Sequence, residues 1–381
     1  MAAGATRISG IDVARALAIV GMVMVHIGPQ DAGKPGIAAQ AYRLSHGRAS
    51  ILFVVLAGIG VSLLAGDRSP QRRRSATQRL LWRAVVLLPI GLALQETGVA
   101  IAVILHFYAG YFLVATLLLR LSDRVLLGCM ALSAGAGPVV YLWLHRVAPS
   151  WFSEDAPHWY QAGRILRDIL LTGHYPLVTW TAPLAFGIWI GRHGLRSRRR
   201  AVWMLVGGAA IAALGFVVSN LLITRYGLAV GEADWRQLFM DEPHDNMPLW
   251  LLTSSATAMS VIAGCLLVAD RLPRLSWPLV AFGQLAFTAY VLHALVLRWI
   301  PQWLMRETLD AAWVSTARFT LVSLVAATAY RAVARHGPFE LLLRPPWLRQ
   351  EPMPWSRGRR ARRRDDYVPA GPPPAARDRM R

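Results

Sequence analysis

Lysine, cysteine and acidic side chains are all scarce in this chain of 381 residues. Lys34 is the one lysine, so the net charge of +20 is almost wholly arginine. The two cysteines, Cys129 and Cys265, both lie inside apolar runs. That excludes a disulfide scaffold and reads as two small buried hydrophobes. Only 16% of residues are charged, while 55% are hydrophobic and the mean hydropathy is +0.39. Such a balance excludes an ordinary soluble domain and gives a polytopic membrane protein. Arginine in place of lysine, with much alanine, glycine and proline, is the usage of a GC-rich bacterial genome. There is no phosphate-binding glycine loop, no G-x-S-x-G elbow and no sustained heptad. No two histidines stand three or four apart and few acids lie near them, so no metal site is expected.

What the chain does have is long apolar runs. Stretches long enough to span a bilayer fall at about 11–29, 49–66, 79–97, 99–119, 125–145, 175–191, 201–223, 248–269, 277–299 and 311–335. The expected fold is an all-α membrane bundle of about ten helices. Asp12 near the start of the first run, with no small-x-small site after it, argues against a cleaved signal peptide. Loops 67–78, 120–124, 192–200 and 270–276 carry the arginines and alternate with longer, less basic loops at 30–48, 146–174, 224–247 and 300–310. The positive-inside rule makes the arginine loops and both termini cytoplasmic, in a bacterium at the inner (plasma) membrane. The transmembrane domain is expected over 1–344. A Pro/Arg-rich tail, 345–381, is too polar to bury a core and is expected to lie disordered on anionic lipid rather than on nucleic acid.

The first run also carries ionisable groups along one stripe: Asp12, Arg15, Ile19, Met22 and His26. Arg15 and His26 lie about 20° apart around the helix and about 16 Å apart along it. Charged groups at membrane depth are costly and mark function. Asp12 and Arg15, three apart at the cytoplasmic end, can pair; Arg15 is the candidate contact for the phosphates of a cytosolic donor, with Arg79 and Arg83 at the start of the third run assisting. Eight of the ten histidines fall toward the outer side. His26 ends the first run and His46 precedes the second, so both can reach one pocket. Either can take a proton from an acceptor at neutral pH. Arg48 is a candidate oxyanion or acceptor contact, as are His106, His174, and Tyr290 with His293, which share a helix face. Gly58, Gly60 and Ser62 read as helix-packing positions.

These residues carry a resemblance. Ile11-Asp-Val-Ala-Arg-Ala-Leu-Ala-Ile with Val25-His26 resembles the first helix of membrane acyltransferases, both the acyltransferase-3 group and the heparan-α-glucosaminide N-acetyltransferase-like group with its YeiB-like (DUF418-type) relatives. The likeness to the second group extends through His46-Gly-Arg-Ala-Ser-Ile-Leu-Phe-Val-Val-Leu-Ala-Gly, Ile104-Leu-His-Phe-Tyr-Ala-Gly-Tyr-Phe-Leu, Gly173-His-Tyr-Pro, Ala286-Phe-Thr-Ala-Tyr-Val-Leu-His and Gly337-Pro-Phe-Glu. It implies transfer of an acyl group, acetyl by default, from cytosolic acyl-CoA to an extracytoplasmic cell-envelope glycan. His26 matches the helix-end histidine of one group, and His46 is the nearest match to the loop histidine of the other. A homo-oligomer is compatible with this. The rival reading is a transporter or flippase of a small molecule or lipid-linked sugar, which the near lack of midplane carboxylates and paired broken helices disfavours.

The topology is open to direct test. A cysteine at Ser197 should resist a membrane-impermeant maleimide in intact cells and react once they are opened. A cysteine at Ala229 should react in both. Labelling of position 197 from outside would invert the assignment.

Overall fold

The computed structural model describes residues 7–29, 36–66, 69–152, 155–269 and 271–348. Lys34, Arg68 and the basic tail past residue 348 lie outside the described residues. All regular structure among them is helical. The helices are α1 (Ser9–Ile27), α2 (Ile37–Ser45), α3 (Arg48–Ala65), α4 (Pro70–Glu96), α5 (Leu105–Leu118), α6 (Asp123–Val147), α7 (Ala162–Arg167), α8 (Leu177–Arg192), α9 (Arg198–Tyr226), α10 (Pro248–Ala269), α11 (Pro273–Gly283), α12 (Ala286–Trp299), α13 (Leu309–Val333) and α14 (Pro338–Leu342). Chain contacts divide after Leu343, and the short turn Pro346–Leu348 belongs to the second unit.

Ten apolar stretches become helices, but not ten equal spans. Among the described residues, seven helices (α1, α3, α4, α6, α9, α10 and α13) are long and apolar enough to cross a membrane. The run at 277–299 is a broken pair, with α11 and α12 bent by 60°. The runs at 99–119 and 175–191 give α5 and α8, of 14 and 16 residues. These reach only about 21–24 Å, short of a hydrocarbon core about 30 Å thick. The local causes are visible. Gly98 takes φ +71, and the chain then runs non-helically to Ile104 before α5 starts. Pro176, extended at φ −72 and ψ 143, precedes α8 and follows a non-helical bend at 173–175. Non-helical backbone at such depth needs partners within the protein. The Ile104 amide accordingly donates to the buried Tyr290 hydroxyl at 3.2 Å, and Tyr111 donates to the Tyr175 carbonyl at 2.8 Å.

Small residues set the close crossings. A Cβ on Gly58 of α3 would overlap the Leu184 carbonyl of α8, and one on Gly187 of α8 would overlap that of Val55. A Cβ on Gly283, at the end of α11, would overlap the Asp12 carbonyl of α1. Gly60, grouped with Gly58 in the sequence, does something else: its missing side chain leaves space beside the Arg15 guanidinium. The α11–α12 break is held by Glu340 of the closing Gly337-Pro-Phe-Glu segment. Its carboxylate accepts from the Phe287 and Thr288 amides at 2.9 and 3.0 Å and from the Thr288 hydroxyl at 2.6 Å, serving the exposed donors of the first turn of α12.

The contacts also sort the loops. Arg192 bonds Asp123 at 2.8 Å and the carbonyls of Leu118 and Leu121 at 3.1 Å, so the loops at 120–124 and 192–200 meet. Gly191 packs on Ser62 near the end of α3, and Gly10 packs on Leu266 near the end of α10. The arginine loops therefore gather at the end of the bundle where α1 begins. At the other end, Arg306 donates its amide to the Ile27 carbonyl at 2.8 Å, and Tyr42 donates to the Pro29 carbonyl at 2.6 Å.

Gly58→Val should overpack the α3–α8 crossing and cost about 1–3 kcal/mol, lowering the melting temperature in detergent. Gly60→Ala, with ordinary contact distances around its new carbon, should leave it unchanged. Equal effects would mean that Gly58 and Gly60 play the same role.

Candidate active site

The stripe read along α1 opens onto two different environments. At its first end, Asp12 is 1% exposed and accepts from both Arg7, at 2.5 and 3.0 Å, and Arg15, at 2.7 Å. Gln284, at the α11–α12 break, points its amide at the same carboxylate from 3.4 Å. One carboxylate thus holds two guanidiniums and fixes where Arg15 stands. Arg15 and Arg79 both act electrostatically on Arg83. The Nε atoms of Arg79 and Arg83 are buried with no hydrogen-bond partner. Arg83 also stands over the Phe112 ring, 5.8 Å from its centroid. Three like charges are thus held together, two of them with unmet Nε donors.

A cavity of about 210 Å³ begins at these cations. Arg15, Gly60 and Arg83 line it together with Ile104, Tyr108 and Tyr290, and the rest of its wall is apolar. The Tyr108 hydroxyl is buried and unpartnered. The volume is below the roughly 300–1,000 Å³ of pockets that enclose a whole ligand. That volume suits a slender group rather than an entire large ligand.

Beyond Tyr290 lie the histidines. The Tyr290 ring stands edge-on to His293 with centroids 5.1 Å apart, and His293 Nε2 lies 3.1 Å from His26 Nδ1. His293 is 1% exposed, while His26 is half-buried and so reachable. His46 and His244 both lie within electrostatic reach of His26. His46 sits edge-on to Tyr42 at 4.7 Å. His174 is exposed at the rim, and His106 is 3% exposed beneath it with Nδ1 unpartnered. The structure therefore brings His26, His46, His174 and His293 to one end and Asp12, Arg15, Arg79 and Arg83 to the other, with Tyr290 on the wall between. Arg48 pairs with Asp241 at 2.8 Å, which in turn accepts from Thr253 at 2.6 Å, while Arg48 Nε is buried with no hydrogen-bond partner. Arg48 thus anchors the loop before α10 to the start of α3.

That loop holds what the sequence reading left out of the site. His244 and Asn246 adopt φ +69 and +60, a left-handed conformation that His and Asn tolerate better than most residues. His244 packs between Tyr175, at 5.6 Å, and Trp250, at 6.0 Å. Asn246 accepts from the Trp180 indole at 2.6 Å. Gly47, at φ +65 between His46 and Arg48, lets this loop come close, because a Cβ there would press on Trp250 and the His244 amide. The available signal was three carboxylates and a histidine within Asp241-Glu-Pro-His-Asp, in a chain poor in acids. Burial, then the nearby His174 and His46, pushes His244 down to about 4, so it is neutral at pH 7. Burial, then Glu242, Glu232 and Asp241, pushes Asp245 up to about 8.

Residues 7–226, more than half of the chain, match the family described as heparan-alpha-glucosaminide N-acetyltransferase, catalytic. The chain belongs to that family. Residues 190–348 match a second family, described as a protein of unknown function (DUF418), so the two together cover the helical bundle to its end. Neither is the acyltransferase-3 group. No curated protein matches the chain. The family is one of membrane acetyltransferases, and its matched region contains α1 to α5 with the turn between α2 and α3, hence Arg15, His26, His46, Arg79, Arg83 and His106. His244 and His293 come from the part covered by the second match.

The depressed His244 carries a sign. Below pH 6.5 the unfolded chain binds a proton there that the folded chain refuses until about pH 4. Stability should therefore fall as the pH drops through that window, by about 2 kcal/mol at pH 5 through this one group. His244→Asn keeps the left-handed backbone and removes the titration. It should lose less melting temperature between pH 7 and pH 5 than wild type does; an equal loss would show that His244 does not contribute.

Proposed function

We propose that this chain transfers an acyl group, acetyl by default, from acyl-CoA in the cytoplasm to a hydroxyl or amine of an extracytoplasmic cell-envelope glycan. The observation that carries this reading is the cavity that starts among Arg15 and Arg83 and reaches Tyr290, against which His293 and then His26 are packed. The arginines would hold the nucleotide phosphates, with Asp12 fixing Arg15. The pantetheine arm is slender enough for the cavity, and its length would carry the thioester toward the histidines. His26, half-buried and beside the histidine loops, would be the general base, with His46, the other candidate, at the acceptor's entrance. His106 and His174 would line the acceptor's path.

The reaction balances with no metal. The acceptor oxygen or nitrogen bonds to the acyl carbon as its proton passes to the base; the carbon–sulfur bond then breaks. The CoA thiolate leaves and the proton returns to it or to water. Tyr108, with a buried unpartnered hydroxyl on the cavity wall, could donate to the thioester oxygen. In this reading the bundle sits in the inner membrane with its arginine end in the cytoplasm.

The test uses purified full-length protein in nanodiscs with radiolabelled acetyl-CoA and envelope glycan. Arg83→Gln should weaken donor binding about ten- to a hundredfold, the value of one or two charge-assisted phosphate contacts. Arg15→Gln should act in the same direction. His26→Ala should keep donor affinity and lose about 10²–10⁴ in transfer rate. Donor binding unchanged in both arginine variants would remove the phosphate site. Substrate uptake into vesicles without acyl transfer would put the transporter reading first.

A further inference from the structure

The contact between His26 and His293 has a geometry that says more than proximity. Their rings are parallel within 8°, with centroids 5.4 Å apart. The nitrogen–nitrogen distance is 3.1 Å, and the centroid separation equals that distance plus one ring radius at each side. The imidazoles therefore lie edge to edge in one plane, with His26 Nδ1 facing His293 Nε2 along the direction of an N–H and a lone pair. On its other side, His293 Nδ1 lies 3.3 Å from the Ala289 carbonyl oxygen, one turn back along α12.

This chain of contacts has one consistent proton arrangement for two neutral rings. A carbonyl oxygen only accepts, so His293 Nδ1 carries the proton. A neutral His293 then has a bare Nε2, which only accepts. His26 Nδ1 must donate to it, and His26 is left with its lone pair on Nε2. The nitrogen carrying the proton is set by the hydrogen bond the other one makes.

We propose that His293 is a positioning residue, which holds His26 in the Nδ1–H tautomer and so presents Nε2 as the basic atom. This rests on the reading of His26 as general base. When Nε2 takes the acceptor's proton, the His26 Nδ1–H becomes a cationic donor to His293, and that bond strengthens as charge forms. The arrangement does the work that a carboxylate does for a histidine base elsewhere, but with a neutral partner, which avoids a buried negative charge in an apolar bundle. It also gives His293 a part other than the acceptor contact expected from sequence. Its 1% exposure suits a residue that acts through His26 rather than on substrate. Tyr290 and His293 share the first turns of α12, so the cavity wall and the positioning group come from a single helix whose start Glu340 fixes.

Two measurements test this, and they fail separately. The first is ¹⁵N spectroscopy of histidine-labelled full-length protein in nanodiscs without donor or acceptor, with His26→Gln identifying the His26 signals. His26 should show a protonated Nδ1 and a bare Nε2, and His293→Leu should move it toward the Nε2–H form. A wild-type His26 already in the Nε2–H form, or one indifferent to His293→Leu, would overturn the proposal. The second is steady-state transfer. His293→Leu should lower kcat about 10–100-fold with donor KM within about twofold. His293→Gln, whose amide oxygen accepts the same N–H, should recover most of that loss. Near wild-type kcat in the leucine variant, or a glutamine variant that melts like wild type but is no faster than leucine, would also overturn it. If wild type itself transfers no acyl group, the proposed function fails, and the spectra alone decide the tautomer.

Discussion

The alignment of α1 with the broken span α11–α12 is the constraint on which the rest of this structure depends. At one end the backbone of α1 at Asp12 meets Gly283 so closely that any side chain there would overlap it, and Gln284 reaches the Asp12 carboxylate. At the other end His26 meets His293. The two helices thus run in the same direction with a polar contact at each end, and each contact fixes the other. Asp12 is the sole acceptor in this pair of contacts that is a charge, and it is matched by two guanidiniums. A buried carboxylate left unpaired would be far more costly than any one of these bonds.

The break between α11 and α12 is what makes that alignment possible. A bend of 60° lets both halves touch α1. Breaking a helix at membrane depth exposes amides, and the bundle answers with Glu340, three bonds from one carboxylate. Short α5 solves the same problem differently. The last residue of its non-helical approach, Ile104, donates its amide to the buried hydroxyl of Tyr290 on α12. Irregular backbone gathers around a cavity because only there does the protein gain from it.

The surfaces of the bundle divide accordingly. α9 and α13 bury few residues and present Leu214, Leu221, Leu321 and Val325 outward, where lipid covers them at no cost. Their contact with the rest is made by small residues, as where Gly208 and Gly215 meet Ser260 and Thr253 of α10. Among the buried polar groups without partners, some, such as Trp313 Nε1 and Thr320 Oγ1 on α13, belong to residues that do not line the cavity, whereas Arg83 Nε and the Tyr108 hydroxyl belong to residues that do. An orphaned donor is expensive in an apolar interior, and a ligand that meets these donors would recover that cost.

Much of this was legible in the sequence, because membranes make local composition decisive. Length of apolar run gave the helices, arginine content sorted the loops, and the 3.6-residue period put Asp12, Arg15 and His26 on one stripe. The one-sided histidines followed from the same counting. What depended on tertiary structure was anything that joins distant segments. Runs at 99–119 and 175–191 are apolar enough to span yet form short helices, since Gly98 and Pro176 break the backbone and hydropathy is blind to φ. Gly58 and Gly60 look alike in sequence, but one meets a backbone and the other an arginine. Arg48 meets Asp241, 193 residues away, only through folding. His293 was one histidine among ten until α12 set it, 267 residues from His26, in the plane of that ring. A hydrogen bond needs angles as well as residues, and only the packed helices supply them.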